Sequence, residues 1–332
     1  MKKNILILNT GGTLSSVAKE NGLTPGLHAG DLEEQIRLVA GGAKLTIIDL
    51  LQVDSANIFP EDWALLAQRI RDSRYTYEGV VIIHGTDTLA YTSSMLSFML
   101  QGIEIPVVIT GSQMSIAEPV TDAMENLRCA INMAQSGRPG VFVAFNRKII
   151  LGCRASKVRS VSFDAFESIN APCLGQISAM GLEFNEYAFP ELKSPFELRN
   201  RYSKEVGIVK MFPGVHRSVL KMYAEKGYQA IYIEAYGLGG MPFLNHDFIA
   251  SVKELVDQGI VVLVGTQCRF EGSKMNIYET GIRALEAGVY QAFDMTTEAA
   301  ITKLMWVLGQ TQDPEEIRKY LTTNLCGEVT ME

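Results

Sequence analysis

The sequence predicts an α/β protein of two domains, a larger N-terminal domain on a parallel sheet and a smaller C-terminal α/β domain. Three observations carry this reading. A chain of 332 residues exceeds what one hydrophobic core comfortably holds. Short, nearly all-apolar runs alternate with helical stretches, the pattern of strands buried on both faces of a parallel sheet and helices covering them. Over 188–202 the alternation fails: "AFPELKSPFELRNRY" is polar, proline-bearing and without a period. The domains are therefore placed at 1–190 and 206–332, with a linker over 191–205.

Taken in order, strands are expected at 5–8, 45–50, 80–84, 107–110 and 141–145, from runs such as "ILIL" and "VVII". Helices fall between them at 61–71, 93–100 and 122–135. Beyond the linker, strands at 206–211, 230–234 and 260–265 alternate with a helix at 248–258, and helices at 298–309 and 314–321 close the chain. There is no internal repeat and no low-complexity tract.

Composition narrows the function classes. A hydrophobic content of 47% with 20% charged residues is ordinary for a globular protein. The net charge of −7 argues against nucleic acid or an anionic membrane as partner. Cys129, Cys153, Cys173, Cys268 and Cys326 are odd in number, scattered and free of C-x-x-C. Neither a disulfide framework nor a metal site is indicated, and no cofactor is expected. No apolar run approaches the roughly 18 residues of a membrane helix, and "MKKNILIL" turns polar too soon for a secretory leader. A reducing cytoplasm is the expected location.

Two strand-to-turn motifs carry the chemistry. "ILILNTGGT" ends a buried strand in adjacent Gly11 and Gly12, flanked by Thr10 and Thr13. Neither the G-x-G-x-x-G of a dinucleotide site nor the lysine of a phosphate loop is present, so the turn offers hydroxyls and no charge. "VVIIHGTDTLAYTSSML" repeats the plan with Gly85, Thr86 and Asp87. Ligands of open α/β sheets collect beyond the carboxyl ends of strands, where both turns can face one crevice. Two hydroxyls and a carboxylate form part of a nucleophile site that still needs a base. His84 lies inside the strand run and reads as a core or supporting histidine, while His28, His216 and His246 have no nucleophile beside them; no G-x-S-x-G elbow occurs. Lys157, in "GCRASKVRS", is the candidate, because a partly buried lysine can act as a base. Each residue has a plainer competitor. Thr13 or Asp87 can cap the following helix, Thr86 can serve the turn, and Lys157 can be a solvated charge near Arg154 and Arg159.

The combination "NTGGTL", "HGTDT", "TGSQ" (110–113) and "RASK" (154–157) resembles the bacterial-type L-asparaginases, most of all the cytoplasmic type I branch. The likeness runs the length of the chain, through "DSANIFPEDW", "GTQC", "AFDMTTEAAITKL" and "NLCGEVT". It implies the asparaginase-like two-domain fold and hydrolysis of asparagine to aspartate and ammonia through an acyl-enzyme. Carried over, Thr13 would be the nucleophile, and Thr86 with Lys157 a second hydroxyl–base pair handling the water or the proton. Asp87 would bind the substrate α-ammonium and help hold the lysine. Ser55 would bind the α-carboxylate, Gly85, Thr86 and Ser112 would line the pocket, and N–H groups of turns such as Gly12-Thr13 would stabilise the oxyanion. The resemblance also implies a homodimer or homotetramer, with the small molecule asparagine as substrate.

The sequence departs from the family at three places. Leu23 stands where a tyrosine is usual, Gly240 where an asparagine often follows Gly-x-Gly, and Glu234 where asparagine-regulated enzymes carry an arginine. The first leaves room for a substitute phenol, for which Tyr278 in "EGSKMNIYETG" is the candidate; an ordinary loop tyrosine is the alternative. The last inverts a charge that would bind a carboxylate effector. Two other functions fit the motifs. One is the ammonia-generating subunit of a tRNA-dependent amidotransferase, although such subunits usually carry an extra N-terminal domain and here the first strand begins at residue 5. The other is an asparagine sensor without turnover. The leading reading predicts that asparagine is preferred over glutamine by at least about tenfold in kcat/KM, because an added methylene costs ~1–3 kcal/mol in a shaped pocket and displaces the scissile carbon. Equal values for the two amides, measured by ammonia release, would contradict it.

Overall fold

The computed structural model describes residues 2–19, 22–191 and 195–330. Two compact units divide the chain, Met1–Asn200 and Arg201–Glu332. The first contains β1 (Asn4–Gly11), β2 (Ser16–Lys19), β3 (Gly22–Pro25), α1 (Ala29–Val39), β4 (Lys44–Val53), α2 (Pro60–Ser73), β5 (Gly79–Ile83), α3 (Leu89–Met99), β6 (Pro106–Thr110), α4 (Ala123–Gln135), β7 (Gly140–Phe145), β8 (Lys148–Leu151), β9 (Ala155–Lys157), β10 (Phe166–Ser168), β11 (Gly175–Ser178) and β12 (Gly181–Phe184). Its main sheet runs β12-β11-β8-β7-β6-β5-β1-β4.

The five strands from β4 to β7 are parallel, as the doubly buried runs imply. Ile5, Leu6, Ile7 and Leu8 of β1 and all of β5 are fully buried or nearly so, each large side chain contributing about 1.5–3 kcal/mol against the entropy of folding. Three antiparallel strands, β8, β11 and β12, extend this sheet. The reversal has a local cause. Asn146 and Arg147, at φ 46° and 65°, form the two-residue connection between Phe145 and Lys148, which pair across β7 and β8. A turn with positive φ at both central residues folds the chain straight back, whereas a parallel neighbour needs a crossover of a dozen or more residues.

Within the parallel set, β1 is flanked by β4 on one side and β5 on the other. The chain thus leaves β1 in one direction and then builds the remaining strands in the other. The crevice expected at such a reversal opens beyond the carboxyl ends of β1 and β5, where the two glycine-bearing turns lie. There is no room between these turns for a side chain. A Cβ on Gly12, whose φ is +79°, would sit 2.4 Å from the Gly85 Cα and N, and one on Gly85 would sit 2.6 Å from the Ser55 Oγ.

The second unit contains β13 (Val206–Lys210), α5 (Ser218–Glu225), β14 (Ala230–Ala235), α6 (Phe248–Asp257), β15 (Val261–Thr266), α7 (Glu279–Glu286), β16 (Tyr290–Gln291), α8 (Thr297–Gln310) and α9 (Pro314–Leu321). Its four strands are parallel and in chain order. Leu220 of α5 and Val252 and Leu255 of α6 pack with Ile231, Ile233, Val262 and Val264 in one core. On α8, the buried Lys303 ammonium meets Glu328 at 2.6 Å. Burial pushes the Glu328 carboxyl up, but Lys303 and the N–H groups of Leu325 and Cys326 outweigh it and hold the carboxyl below its usual range.

The contact between the turns yields a prediction. Gly12→Ala destabilises the protein by more than about 1 kcal/mol in urea unfolding, because the new Cβ meets backbone and the left-handed φ is strained for alanine. Gly30→Ala in α1, where a Cβ meets nothing, serves as the control and stays neutral or mildly stabilising. Equal behaviour of the two variants would contradict the close-approach argument.

Candidate active site

The turns after β1, β4, β5 and β6 and the strand β9 supply the side chains. Thr10 and Thr13, alike in sequence, separate in role. The Thr10 hydroxyl donates to the Ile83 carbonyl at 2.8 Å, tying β1 to β5. Thr13 opens a short 3-10 turn, Thr13–Ser15, whose cap position belongs to Gly12. Among the described residues the Thr13 hydroxyl has no hydrogen-bond partner, so it does not cap. The Gly12 N–H donates to Val53 O at 3.1 Å, and Ser16 Oγ donates to Gly12 O at 2.9 Å, which holds the turn from both sides.

Thr86, Asp87 and Lys157 form one cluster. Lys157 Nζ donates to Thr86 Oγ1 at 2.8 Å and to Asp87 Oδ1 at 2.6 Å. The lysine side chain is only 18% exposed, whereas that of Asp87 is 64% exposed, so the ammonium is inside and the carboxylate faces outward. Lys157 ends β9, which pairs antiparallel with β10. Nearby Arg159 is engaged by Glu167 at 2.8 Å and by the Asp164 carbonyl. Asp87 does not cap α3 either, since Thr88 occupies that position.

Ser55 is buried and joins this cluster through the backbone. Its Oγ accepts from the Asp87 N–H at 3.2 Å and its carbonyl accepts from Thr88 Oγ1 at 2.8 Å, leaving the hydroxyl proton able to donate elsewhere. Ser112 is buried as well, but its hydroxyl donates to the Met114 carbonyl within its own turn. Its neighbour Gln113 reaches the cluster instead. The Gln113 Oε1 receives a long contact of 3.4 Å from Thr86 Oγ1, while Nε2 donates to the Ser160 and Ser162 carbonyls at 3.1 Å each. Those two carbonyls fix which end of the amide faces Thr86. The turn itself hangs on Asp122, whose carboxylate accepts from the Gln113 and Met114 N–H groups and from Asn126 Nδ2.

Two family models match the chain, "Asparaginase, N-terminal" over residues 4–189 and "Glutaminase/Asparaginase C-terminal domain" over residues 205–321. The chain belongs to the asparaginase family. It is 42% identical to the L-asparaginase of Thermococcus kodakarensis, over 98% of this chain and 99% of the relative. The solved structure of the thermostable L-asparaginase from that organism superposes with a TM-score of 0.92 at 41% identity, covering 99% of this chain and all of the other. Identity to L-asparaginase 1 of Escherichia coli K12 is 35%, over 99% and 98% of the two chains. A glutamyl-tRNA(Gln) amidotransferase subunit of Pyrococcus abyssi is also 35% identical, but this chain spans 76% of its length.

Three of the remaining sequence candidates of this asparaginase chain, Tyr278, Gly240 and Glu234, belong to the second unit. Tyr278 is the residue before α7 and its side chain is exposed. It borders a depression of about 390 Å³ with Tyr236, Met241 and Lys274. The tyrosine-to-Leu23 departure lies on β3, in a stretch whose side chains are outside the described residues. Gly240 packs against Thr280 so tightly that a Cβ would meet its Oγ1 at 2.6 Å. Glu234 is engaged by Lys210 at 3.3 Å and by the Thr297 hydroxyl. Among the described residues no group of three His, Cys, Asp or Glu could hold a metal ion, and no helix is long and apolar enough to cross a membrane.

Gln113 is the residue the sequence reading passed over, although it is the last letter of the quoted "TGSQ". The other supporting side chain is His84, fully buried at the end of β5. Burial lowers its pKa to about 4, against smaller raising effects from the Gly85 carbonyl and from Asp62. The imidazole is therefore neutral in the folded protein at pH 7. Between about pH 6.5 and pH 4 the unfolded chain binds a proton at this position that the folded chain does not, so stability falls as the pH falls through that window, by about 3 kcal/mol from this group. Urea unfolding at stepped pH is expected to show a shallower loss in His84→Asn than in the wild type. Parallel pH profiles would contradict the neutral buried ring.

Proposed function

We propose that this chain is an L-asparaginase, hydrolysing asparagine to aspartate and ammonia through an ester on Thr13. The observation that carries the reading is a Thr13 hydroxyl without a partner among the described residues on one turn, and Thr86 and Asp87 held by Lys157 of β9 on the next, the two turns locked by Gly12 against Gly85. A threonine hydroxyl becomes a competent nucleophile only when a neighbour removes its proton.

In the first half-reaction the Thr13 Oγ bonds to the amide carbon and the Oγ proton passes through the Thr86–Lys157 pair to the departing nitrogen. The C–N bond breaks and ammonia leaves. In the second, water adds to the ester carbon, gives a proton through the same pair, and the bond to Thr13 breaks to release aspartate. Asp87 faces outward and suits the substrate α-ammonium. A bound ammonium there competes with Lys157 for the carboxylate, so substrate binding loosens one of the contacts holding the lysine in its resting pose. The free hydroxyl proton of Ser55 suits the α-carboxylate, and Gly85 and Ser112 contribute the backbone walls. N–H groups of the turns, those of Thr13 and Thr86 among them, supply the oxyanion donors.

Assembly as a homodimer or homotetramer and a cytoplasmic location belong to the same proposal, the latter supported by five free cysteines, which suit a reducing compartment. Tyr278, whose phenol is exposed, enters through that assembly, as the substitute for the tyrosine absent at Leu23 that hydrogen-bonds Thr13. The amidotransferase reading is favoured by the likeness to the Pyrococcus protein, and the assay below separates it, because the purified chain acting alone on free asparagine needs no partner. The same assay separates a silent sensor.

Ammonia release from asparagine by the purified protein tests the function. Thr13→Ala and Lys157→Met are each expected to lower kcat by several orders of magnitude with the fold retained, and the double variant to be little worse than either, because residues acting as one unit are not additive. A Thr13→Ala enzyme that keeps more than about a tenth of the wild-type kcat would refute the nucleophile assignment.

A further inference from the structure

Behind the turn that carries Thr86 and Asp87 runs a buried chain of hydrogen bonds from three elements. Trp63 Nε1 of α2 donates to Thr92 Oγ1 of α3 at 2.9 Å. Thr92 Oγ1 lies 2.9 Å from His84 Nε2, and His84 Nδ1 lies 2.7 Å from the Gly85 carbonyl. Donor chemistry gives the chain one direction. A carbonyl only accepts, so His84 Nδ1 carries the proton. In the neutral ring Nε2 is then a bare acceptor and takes the Thr92 hydroxyl proton. The Thr92 oxygen in turn accepts from an indole that can only donate. Trp63, Thr92 and His84 are all buried, so no exchange with bulk water relaxes the arrangement.

The last bond acts on a peptide plane. The chain contains no cis peptide among the described residues, and in a trans peptide the C=O and the following N–H point in opposite directions. His84 draws the Gly85 carbonyl inward, so the N–H of Thr86 turns away from the imidazole. Among the described residues no protein acceptor takes that N–H. The adjoining backbone is confined on its other side by Gly12 and Ser55.

We propose that His84, as its Nδ1–H tautomer, is a positioning residue that holds the Gly85–Thr86 peptide so that the Thr86 N–H meets the developing oxyanion. The proposal rests on the asparaginase reading and names a residue that touches no substrate. A histidine that merely fills the core would need its bulk and its packing, not the proton on one particular nitrogen.

Two variants separate these roles. His84→Asn places an amide nitrogen near the position of Nδ1 and can still donate to Gly85, while losing Thr92. His84→Gln extends to the position of Nε2 and keeps Thr92, while losing the donor to Gly85. With kcat and KM referred to the folded fraction from circular dichroism, His84→Gln is expected to lose roughly 10²-fold in kcat at little change in KM, the scale of a misaimed oxyanion donor, with His84→Asn retaining most of the wild-type kcat. Equal losses in the two variants, or no loss in either, would overturn the proposal. Imidazole ¹⁵N spectra of the wild type at pH 7 give an independent readout: a protonated Nδ1 and a bare Nε2 are expected, and the opposite tautomer would overturn it. A wild-type protein inert toward asparagine refutes the function and the catalytic part of the proposal together. An Nδ1–H signal in that same sample would show the buried chain intact and so distinguish the two failures.

Discussion

The close approach of Gly12 to Gly85 is the constraint on which the site depends. Strand order brings the ends of β1 and β5 side by side, but adjacent strands ordinarily end in turns kept apart by their side chains. Removing the Cβ from both turns lets backbone meet backbone, and Gly85 also seats directly on Ser55. Thr13, Ser55, Thr86 and Asp87 are thereby set by the main chain and not by flexible side-chain packing. For the proposed nucleophile and its proton carrier rigid placement matters, because rate falls steeply with small displacements.

Around that contact the charges are arranged asymmetrically. The ammonium of Lys157 is sheltered and the carboxylate of Asp87 faces outward, so their ion pair spans the boundary between interior and crevice. An exposed carboxylate can change partners at little desolvation cost, which is what a substrate bearing an α-ammonium requires. Supporting groups behind the cluster are neutral: His84 is kept uncharged by burial, and Gln113 is an amide clamped by two carbonyls. Neutral neighbours add no charge that competes with the Lys157–Asp87 pair.

Much of this is legible in the sequence, for physical reasons that differ by element. The runs "VVII" and "PVVIT" announce β5 and β6 because strands buried on both faces tolerate almost nothing polar. The two glycine turns are legible as turns, and the pairing of their motifs points to the family. The hairpin at Asn146-Arg147 is not, because neither residue is a glycine and the positive φ values are imposed by the flanking strands. Helix α7 is obscured by Gly281, whose Cβ position is occupied by the Met275 backbone at 2.4 Å; tertiary packing demands a residue that helix propensity disfavours. Within the site, Thr10 and Thr13 look equivalent until the sheet assigns the Thr10 hydroxyl to Ile83. Ser112 enters only through the family resemblance, whereas the longer side chain of its neighbour Gln113 is the one that reaches Thr86.

The proposed mechanism turns on Thr13, whose hydroxyl has no partner among the described residues, as the group that bonds to substrate. The direct test is rapid acid quenching of the enzyme with asparagine, followed by proteolysis and mass spectrometry of the peptides. An adduct of one aspartyl group is expected on the peptide carrying Thr13, absent from the Thr13→Ala protein. The adduct on the peptide carrying Thr86, or its persistence when Thr13 is replaced, would contradict it.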